Sequence, residues 1–403
     1  MQTSQGLAVP PPDAYCRAAG MNHPAPMPED AFDRLRLART EGVGAQTYLR
    51  LLQRFGSARA ALAALPRYGR GTLVPPPMGA VEREMAALAK LGGRFLFLGA
   101  PGYPALLGML HDPPPVLALL GDPVALAPRA VALVGARNAS AAGRRIAEEL
   151  AEALAGAGLT VISGLARGID AAAHLGALRA RAHGAKPGAG RTVAAVAGGL
   201  DQPYPPENAA LQARIAAEGG AVLAEAPLGT APLARHFPRR NRIVAGLSLG
   251  VVVVEAAPRS GSLITARLAL EAGRELFAVP GSPLDPRCRG SNDLIRQGAH
   301  ITESAEDVLA HLPEAPREAP LVEPRLDWGE PAPPPPLPPA PPGTSPDMTQ
   351  VIELLGTAPM PVDEVVRRCH LSPSVVQAIL LDLELAGQVE MLPGNRVALT
   401  GRS

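Results

Sequence analysis

Between residues 131 and 312 the chain repeats one pattern: a short run of consecutive apolar residues, then an Ala-rich helical stretch. The apolar runs fall at 131–135, 159–163, 192–197, 221–225, 250–255 and 275–279. Near-continuous apolar runs belong to strands covered on both faces. Their alternation with helices predicts an α/β unit with a mostly parallel, doubly wound sheet. Shorter runs near 95–98 and 116–120 extend that unit, and residues 181–190 interrupt it as a surface insertion. Before it, 29–66 reads as helical, with a Gly42-Val43-Gly44 turn joining two helices in a helix-hairpin-helix pattern. After it, helices near 348–355, 361–368 and 372–386 precede two short strands, 389–392 and 396–399, the order of a winged helix.

This gives five segments. Residues 1–28 form a disordered tail, 29–74 a helical domain, 75–312 the α/β core, 313–346 a Pro-rich extended linker and 347–403 the winged helix. The chain has 403 residues and 47% hydrophobic content, enough for a sizeable core. Aromatics make up only 3%, so that core is built from Ala, Val and Leu. A formal net charge of +1 argues against a general basic coat for duplex DNA or membrane. Cys16, Cys288 and Cys369 are too far apart for a zinc motif or a disulfide framework. The Pro-rich start lacks the basic, then apolar, order of a signal peptide, and no stretch is long enough to span a bilayer. A reducing cytoplasm is the expected setting, and no cofactor is expected.

Against this neutral background, residues 235–242 hold four Arg, a His and a Phe with no acid. Concentrated cations around an aromatic ring point to an anionic partner with bases to stack. Ligands of doubly wound sheets bind at the carboxyl ends of the strands, and those ends carry further cations and helix-opening turns. After the first core strand, Arg137 stands where a dinucleotide fingerprint needs a second glycine, with Ser140 and Gly143 beyond. The side chain blocks close approach of a pyrophosphate and offers a phosphate-binding fork instead. After the second, Ser163-Gly164-Leu165-Ala166-Arg167-Gly168-Ile169-Asp170 opens a helix, whose free amides favour an anion. Asp170 and His174 are an acid/base pair by spacing, but a helix cap and an internal histidine explain them better. Gly198 and Gly199 permit either a ligand's approach or a turn. Ser260, Gly261, Ser262 and Thr265 open another helix as a second phosphate cradle; as nucleophiles, Ser260 and Ser262 lack an elbow motif and a histidine.

These blocks together resemble the DNA-processing protein A family (DprA, also called Smf). The resemblance runs over roughly 95–312. It rests on Tyr103-Pro104, the VGAR turn at 134–137, SGLARGID at 163–170, GGLD at 198–201, FPRRNRIVAGLS at 237–248, SGSLITA at 260–266, VPG at 279–281 and Gly290-Ser291-Asn292. It implies an extended Rossmann fold with an N-terminal helix-hairpin-helix (SAM-like) domain and a C-terminal winged helix. It implies a homodimeric single-stranded DNA-binding protein, not an enzyme, that protects incoming strands in natural transformation and loads the RecA recombinase. By motif match the DNA-contacting positions are Arg137, Ser140, Gly164, Ala166, Arg167, Gly168, Phe237, Arg239, Arg240, Asn241, Ser260, Gly261, Ser262 and Thr265. Arg239 or Arg240 is the expected phosphate ligand, and Phe237 the expected base contact.

Two alternatives remain at this point. One is a Rossmann-fold nucleotide or sugar-phosphate hydrolase, suggested by the two cradles and the Asp170/His174 spacing. The other is a scaffold whose Arg cluster is a subunit interface. The helical hairpin has six Arg against two acids over 31–66, which fits either a nucleic-acid contact or a packed bundle. In the winged helix, 372–385 contains Asp382 and Glu384 but no Lys or Arg, so protein contact is favoured over DNA reading.

Overall fold

A computed structural model of the chain describes residues 27–67, 73–182, 191–314, 348, 351–352, 354–355, 359–369, 371–392 and 394–400. The expected tail, the 181–190 insertion and the Pro-rich linker lie almost wholly outside the described residues. The chain divides into two compact units, Met1–Ala31 with Gly79–Pro320 and Phe32–Met78 with Leu321–Ser403.

The second unit begins with α1 (Ala31–Ala38), α2 (Ala45–Phe55) and α3 (Ala58–Ala64). The α1–α2 turn uses Gly42 at φ +81, where an added Cβ would also lie 2.7 Å from Leu73 Cδ2. Packing therefore explains this glycine without a ligand. Ser57 caps α3 by accepting the Ala60 amide.

In the first unit, α4 (Met78–Lys90) leads into a nine-stranded sheet. Its strands are β1 (Arg94–Phe97), β2 (Val116–Gly121), β3 (Ala130–Val134), β4 (Thr160–Ser163), β5 (Thr192–Val196), β6 (Ala221–Ala224), β7 (Gly250–Val253), β8 (Glu275–Ala278) and β9 (His300–Ile301). The order is β1-β2-β6-β5-β4-β3-β7-β8-β9. Strands β6 to β9 along that order pair in parallel, while β1 and β2 add an antiparallel edge. Strand order reverses between β3 and β7, which makes their carboxyl ends the topological switch point. All eight expected strands form. The ninth, β9, has two residues, too short to leave a hydrophobic pattern.

Connecting helices are α5 (Ala105–Gly108), α6 (Ala141–Gly156), α7 (Ile169–Ala182), α8 (Ala209–Ala217), α9 (His236–Gly246), α10 (Gly261–Glu271), α11 (Arg289–Arg296) and α12 (Ala305–His311). Alternate strand residues feed two cores. Val131, Leu133, Val252 and Phe277 pack with α6, α7 and α12. Ala132, Val134, Val251 and Val253 pack with α9 and α10. Small side chains on the helices let them lie close to the sheet, which accounts for a core with so few aromatic rings.

The second unit resumes with α13 (Val362–Cys369) and α14 (Pro373–Leu385), then a small sheet of β10 (Met360–Pro361), β11 (Val389–Leu392) and β12 (Arg396–Leu399). Ser372 caps α14, with Pro373 in its first turn. Gly387 follows at φ +67. The winged-helix order holds; its first expected helix, 348–355, lies partly outside the described residues.

Phe277 is fully buried, and its ring stands 5.2 Å from that of His300. Because truncation would leave a cavity in a core built mostly of Ala, Val and Leu, Phe277→Ala should destabilise it by about 3–5 kcal/mol, read from chemical denaturation. A loss under about 1 kcal/mol would contradict this packing.

Candidate functional site

A cleft lies at the carboxyl ends of β3, β4 and β5, one strand away from the switch point. It encloses about 280 Å³ and is lined by Arg137, Asn138, Gly164, Ala166, Arg167, Val196, Ala197, Gly198, Gln202, Tyr204, Pro205, Pro232 and Phe237. The Arg137 guanidinium sits 4.8 Å from the centre of the Phe237 ring. The Tyr204 ring meets Phe237 edge-on, 5.8 Å between centroids at 65°. Arg137 is exposed, and among the described residues no carboxylate lies within ion-pair distance of it. A cation over a ring face, beside a second ring, is suited to a phosphate and an adjoining base.

The structure thus brings five of the expected residues together: Arg137, Gly164, Ala166, Arg167 and Phe237. The other nine do not line the cleft. Arg240 shows the largest departure. Its side chain is only 7% exposed and pairs with Asp170 at 3.7 Å. Burial pulls its pKa below the usual arginine range, and Asp170 counteracts this. The guanidinium lies so close to Gly164 that any Cβ there would run into it. Arg240 therefore supports the 163–170 turn from beneath instead of facing a ligand. Asp170 also accepts the Ala166 amide at 3.3 Å, and Asn208 donates to the Leu165 and Ala166 carbonyls at 2.9 and 3.2 Å. At Gly168, φ is +74, and an added Cβ would strike the Ala136 carbonyl oxygen, so the turn is seated directly on the one after β3.

Arg239 and Arg242 meet an acid invisible in their local sequence. Glu225, at the end of β6, accepts from Arg239 at 2.9 and 3.1 Å and from Arg242 at 2.7 Å. Arg242 also donates to the Asp112 carbonyl at 2.7 Å. Arg239 remains over half exposed, but its charge is largely spent within the protein. Arg167 pairs with Glu207 and stays exposed. Asn241 is buried and donates to the Gly261 carbonyl.

The switch point itself is occupied from within. Glu255, just beyond β7, is buried; it accepts the Ser140 amide at 3.0 Å and the Ser140 hydroxyl at 2.5 Å. The same hydroxyl accepts the Gly143 amide and caps α6. An added Cβ at Gly143 would lie 2.5 Å from the carboxylate. Ser140 is thus a structural cap, and the helix N-terminus where a dinucleotide phosphate would sit already holds an anion. In the second expected cradle, Ser260 and Ser262 share a 2.7 Å hydrogen bond, Ser262 and Thr265 are buried, and Gly261 faces open space. Gly198 and Gly199 pack against the backbone of the 227–230 loop, which Asp201 fixes by accepting the Gly229 amide at 2.8 and 2.9 Å.

The Asp170/His174 spacing yields no acid/base pair. Asp170 faces Arg240, whereas His174 Nδ1 lies 2.7 Å from the Thr192 hydroxyl. Thr192 donates its single proton to the Val161 carbonyl, so Nδ1 must be the protonated nitrogen. Lining residues outside the expected DNA-contacting set are Asn138, Val196, Ala197, Gly198, Gln202, Tyr204, Pro205 and Pro232. Gln202, Tyr204 and Pro205 belong to the turn that follows Gly198 and Gly199.

Residues 94–313 match the family model for DNA recombination-mediator protein A. Residues 28–87 match the DprA-like N-terminal HHH domain, and 333–395 the DprA winged helix domain. The chain is 39% identical over 330 residues to Protein Smf of Escherichia coli, covering 80% of this chain and 82% of that one. It is 42% identical over 235 residues to the DNA processing protein DprA of Bacillus subtilis, covering 58% and 76%. The X-ray structure of DNA processing protein A from Streptococcus pneumoniae superposes with a TM-score of 0.59 at 32% identity, over 71% of this chain and 99% of that one.

Burial, and then the nearby charge of Arg240, lower the His174 pKa from 6.5 to about 3. Between those values the unfolded chain binds a proton that the folded ring refuses, so stability falls as pH drops through that window. Asp170, raised by burial, works in the opposite sense near the acidic end. We expect His174→Gln to remove up to roughly 1.4 kcal/mol per pH unit from the acid-side slope of stability, measured by denaturation from about pH 7 to pH 4. An unaltered slope would refute a neutral, buried ring.

Proposed function

The chain belongs to the DNA recombination-mediator protein A family, and on that premise we propose that it binds single-stranded DNA through the β3–β4–β5 cleft. The observation that carries this reading is Arg137: exposed, free of a carboxylate among the described residues, and stacked on Phe237 beside Tyr204. A flexible strand can splay a base onto those rings while its phosphate meets the guanidinium; a paired duplex cannot without unstacking. The cleft suits one base, and the formal net charge of +1 argues against a general basic coat for duplex.

The biological role we infer is protection of incoming strands and loading of the RecA recombinase onto them during natural transformation, by a homodimer in the cytoplasm. Family membership supports the recombination role. Among the described residues no helix is long and apolar enough to cross a membrane. Binding rather than catalysis is the reading for the cleft. The acid and the imidazole that a hydrolase would need, Asp170 and His174, are committed to Arg240 and Thr192. In this reading Arg137 is the main phosphate ligand, ahead of Arg239 and Arg240, with Arg167 and Phe237 beside it.

A salt-titrated comparison of single-stranded DNA, duplex DNA and free nucleotides tests this. Affinity for the single strand should be highest and fall with salt. Arg137→Ala should flatten the log–log slope by about 0.7. Phe237→Ala should cost about 1–3 kcal/mol with little change in slope. Equal affinity and slope in both variants would remove the cleft from the DNA-binding surface, and turnover of free nucleotides would restore the hydrolase reading.

A further inference from the structure

Two features of the chain lie outside the cleft: an Arg-rich helical hairpin near the N-terminus and a winged helix whose third helix carries acids where basic residues would read DNA. Both belong to one compact unit, and there they meet. Leu381 and Leu385 of α14 join the apolar cluster of Tyr48, Leu51 and Leu62 from the hairpin. Alongside that seam Arg50 pairs with Glu384 at 2.7 Å and Arg54 with Asp382 at 3.1 Å.

We propose that Arg50 and Arg54 form a second site for the phosphates of a polynucleotide, and that Asp382 and Glu384 occupy it as internal carboxylate substitutes. The chemistry is interchangeable, because the guanidinium fork accepts a carboxylate or a phosphate in the same plane. Arg50 and Arg54 are one helical turn apart on α2, so they present side by side, as successive phosphates of a strand require. The two partners are complementary in sequence. Residues 31–66 hold six Arg against two acids, while 372–385 holds no basic residue. The acidic third helix thus has a reader's position and an inward target. All four side chains remain 22–32% exposed, so a competing anion in solution can reach the pairs. Burial raises both carboxyls above their ordinary range, with the paired arginines pulling them back. Such desolvated carboxylates repay only part of their hydration on pairing, which leaves the cover displaceable.

The test uses the full chain, a labelled oligothymidylate and a duplex of equal length, each titrated with salt. Asp382→Asn/Glu384→Gln should raise low-salt affinity about tenfold. It should also steepen the log–log slope by about 1.4 for the single strand or about 1.8 for the duplex, two phosphates in either case. Whichever nucleic acid gains more identifies the strand form. Adding Arg50→Ala/Arg54→Ala should return both quantities to the parent values, which separates a site from a mere change in net charge. Leu385→Ser loosens the same seam without altering charge and should steepen the slope in the same direction. Unchanged slopes in both the carboxylate variant and Leu385→Ser would overturn the proposal, as would a gain that survives loss of both arginines. Neither result depends on the cleft, whose own variants are Arg137→Ala and Phe237→Ala.

Discussion

Burying a cation costs less when an anion is buried beside it, and under the candidate cleft the Arg240–Asp170 pair meets that condition. The guanidinium reaches the pair only because Gly164 has no side chain. The pair in turn anchors the 163–170 turn, which rests on the turn after β3 and so sets where Arg137 stands. Removing one partner would strand a charge in the core, a larger penalty than the loss of any exposed ion pair. Neighbouring His174 remains neutral in the same surroundings and adds no second charge to the pocket.

A wider principle links the first unit's charges. Most of its conspicuous cations near the sheet edge carry an acid partner: Arg240 on Asp170 and Arg242 on Glu225 are buried, while Arg239 on Glu225 and Arg167 on Glu207 stay exposed. What distinguishes Arg137 is that no such partner stands by it among the described residues, with an aromatic face in its place. A cluster of positive residues is therefore a poor guide to a ligand site until each has been matched to the acids that folding brings near it.

This explains what could be read from sequence and what could not. The eight longer strands were legible because burial on both faces leaves continuous apolar runs; β9, with two residues, leaves none. That Arg137 and Phe237 would meet at the carboxyl edge was legible, and the proposed site rests on that meeting. The choice between Arg239, Arg240 and Arg137 was not legible. Glu225 lies on a strand end 14 residues before Arg239. Arg240 is buried because helix α9 begins at His236 and every residue from Arg240 to Gly246 is enclosed. Both facts are tertiary. Glycines were also ambiguous in sequence: Gly42, Gly164 and Gly168 each clear space for the protein's own atoms.

The hydrogen bonds of Glu255 at the end of β7 have a consequence for selectivity among solutes. Free mononucleotides and dinucleotide cofactors seek the open helix N-terminus that a doubly wound sheet presents at its switch point. Here a carboxylate is already seated on Ser140, so that position repels a free anion instead of attracting it. Abundant small metabolites then gain little from the fold they are usually drawn to. The polymer proposed for the cleft one strand away would then face little competition from them.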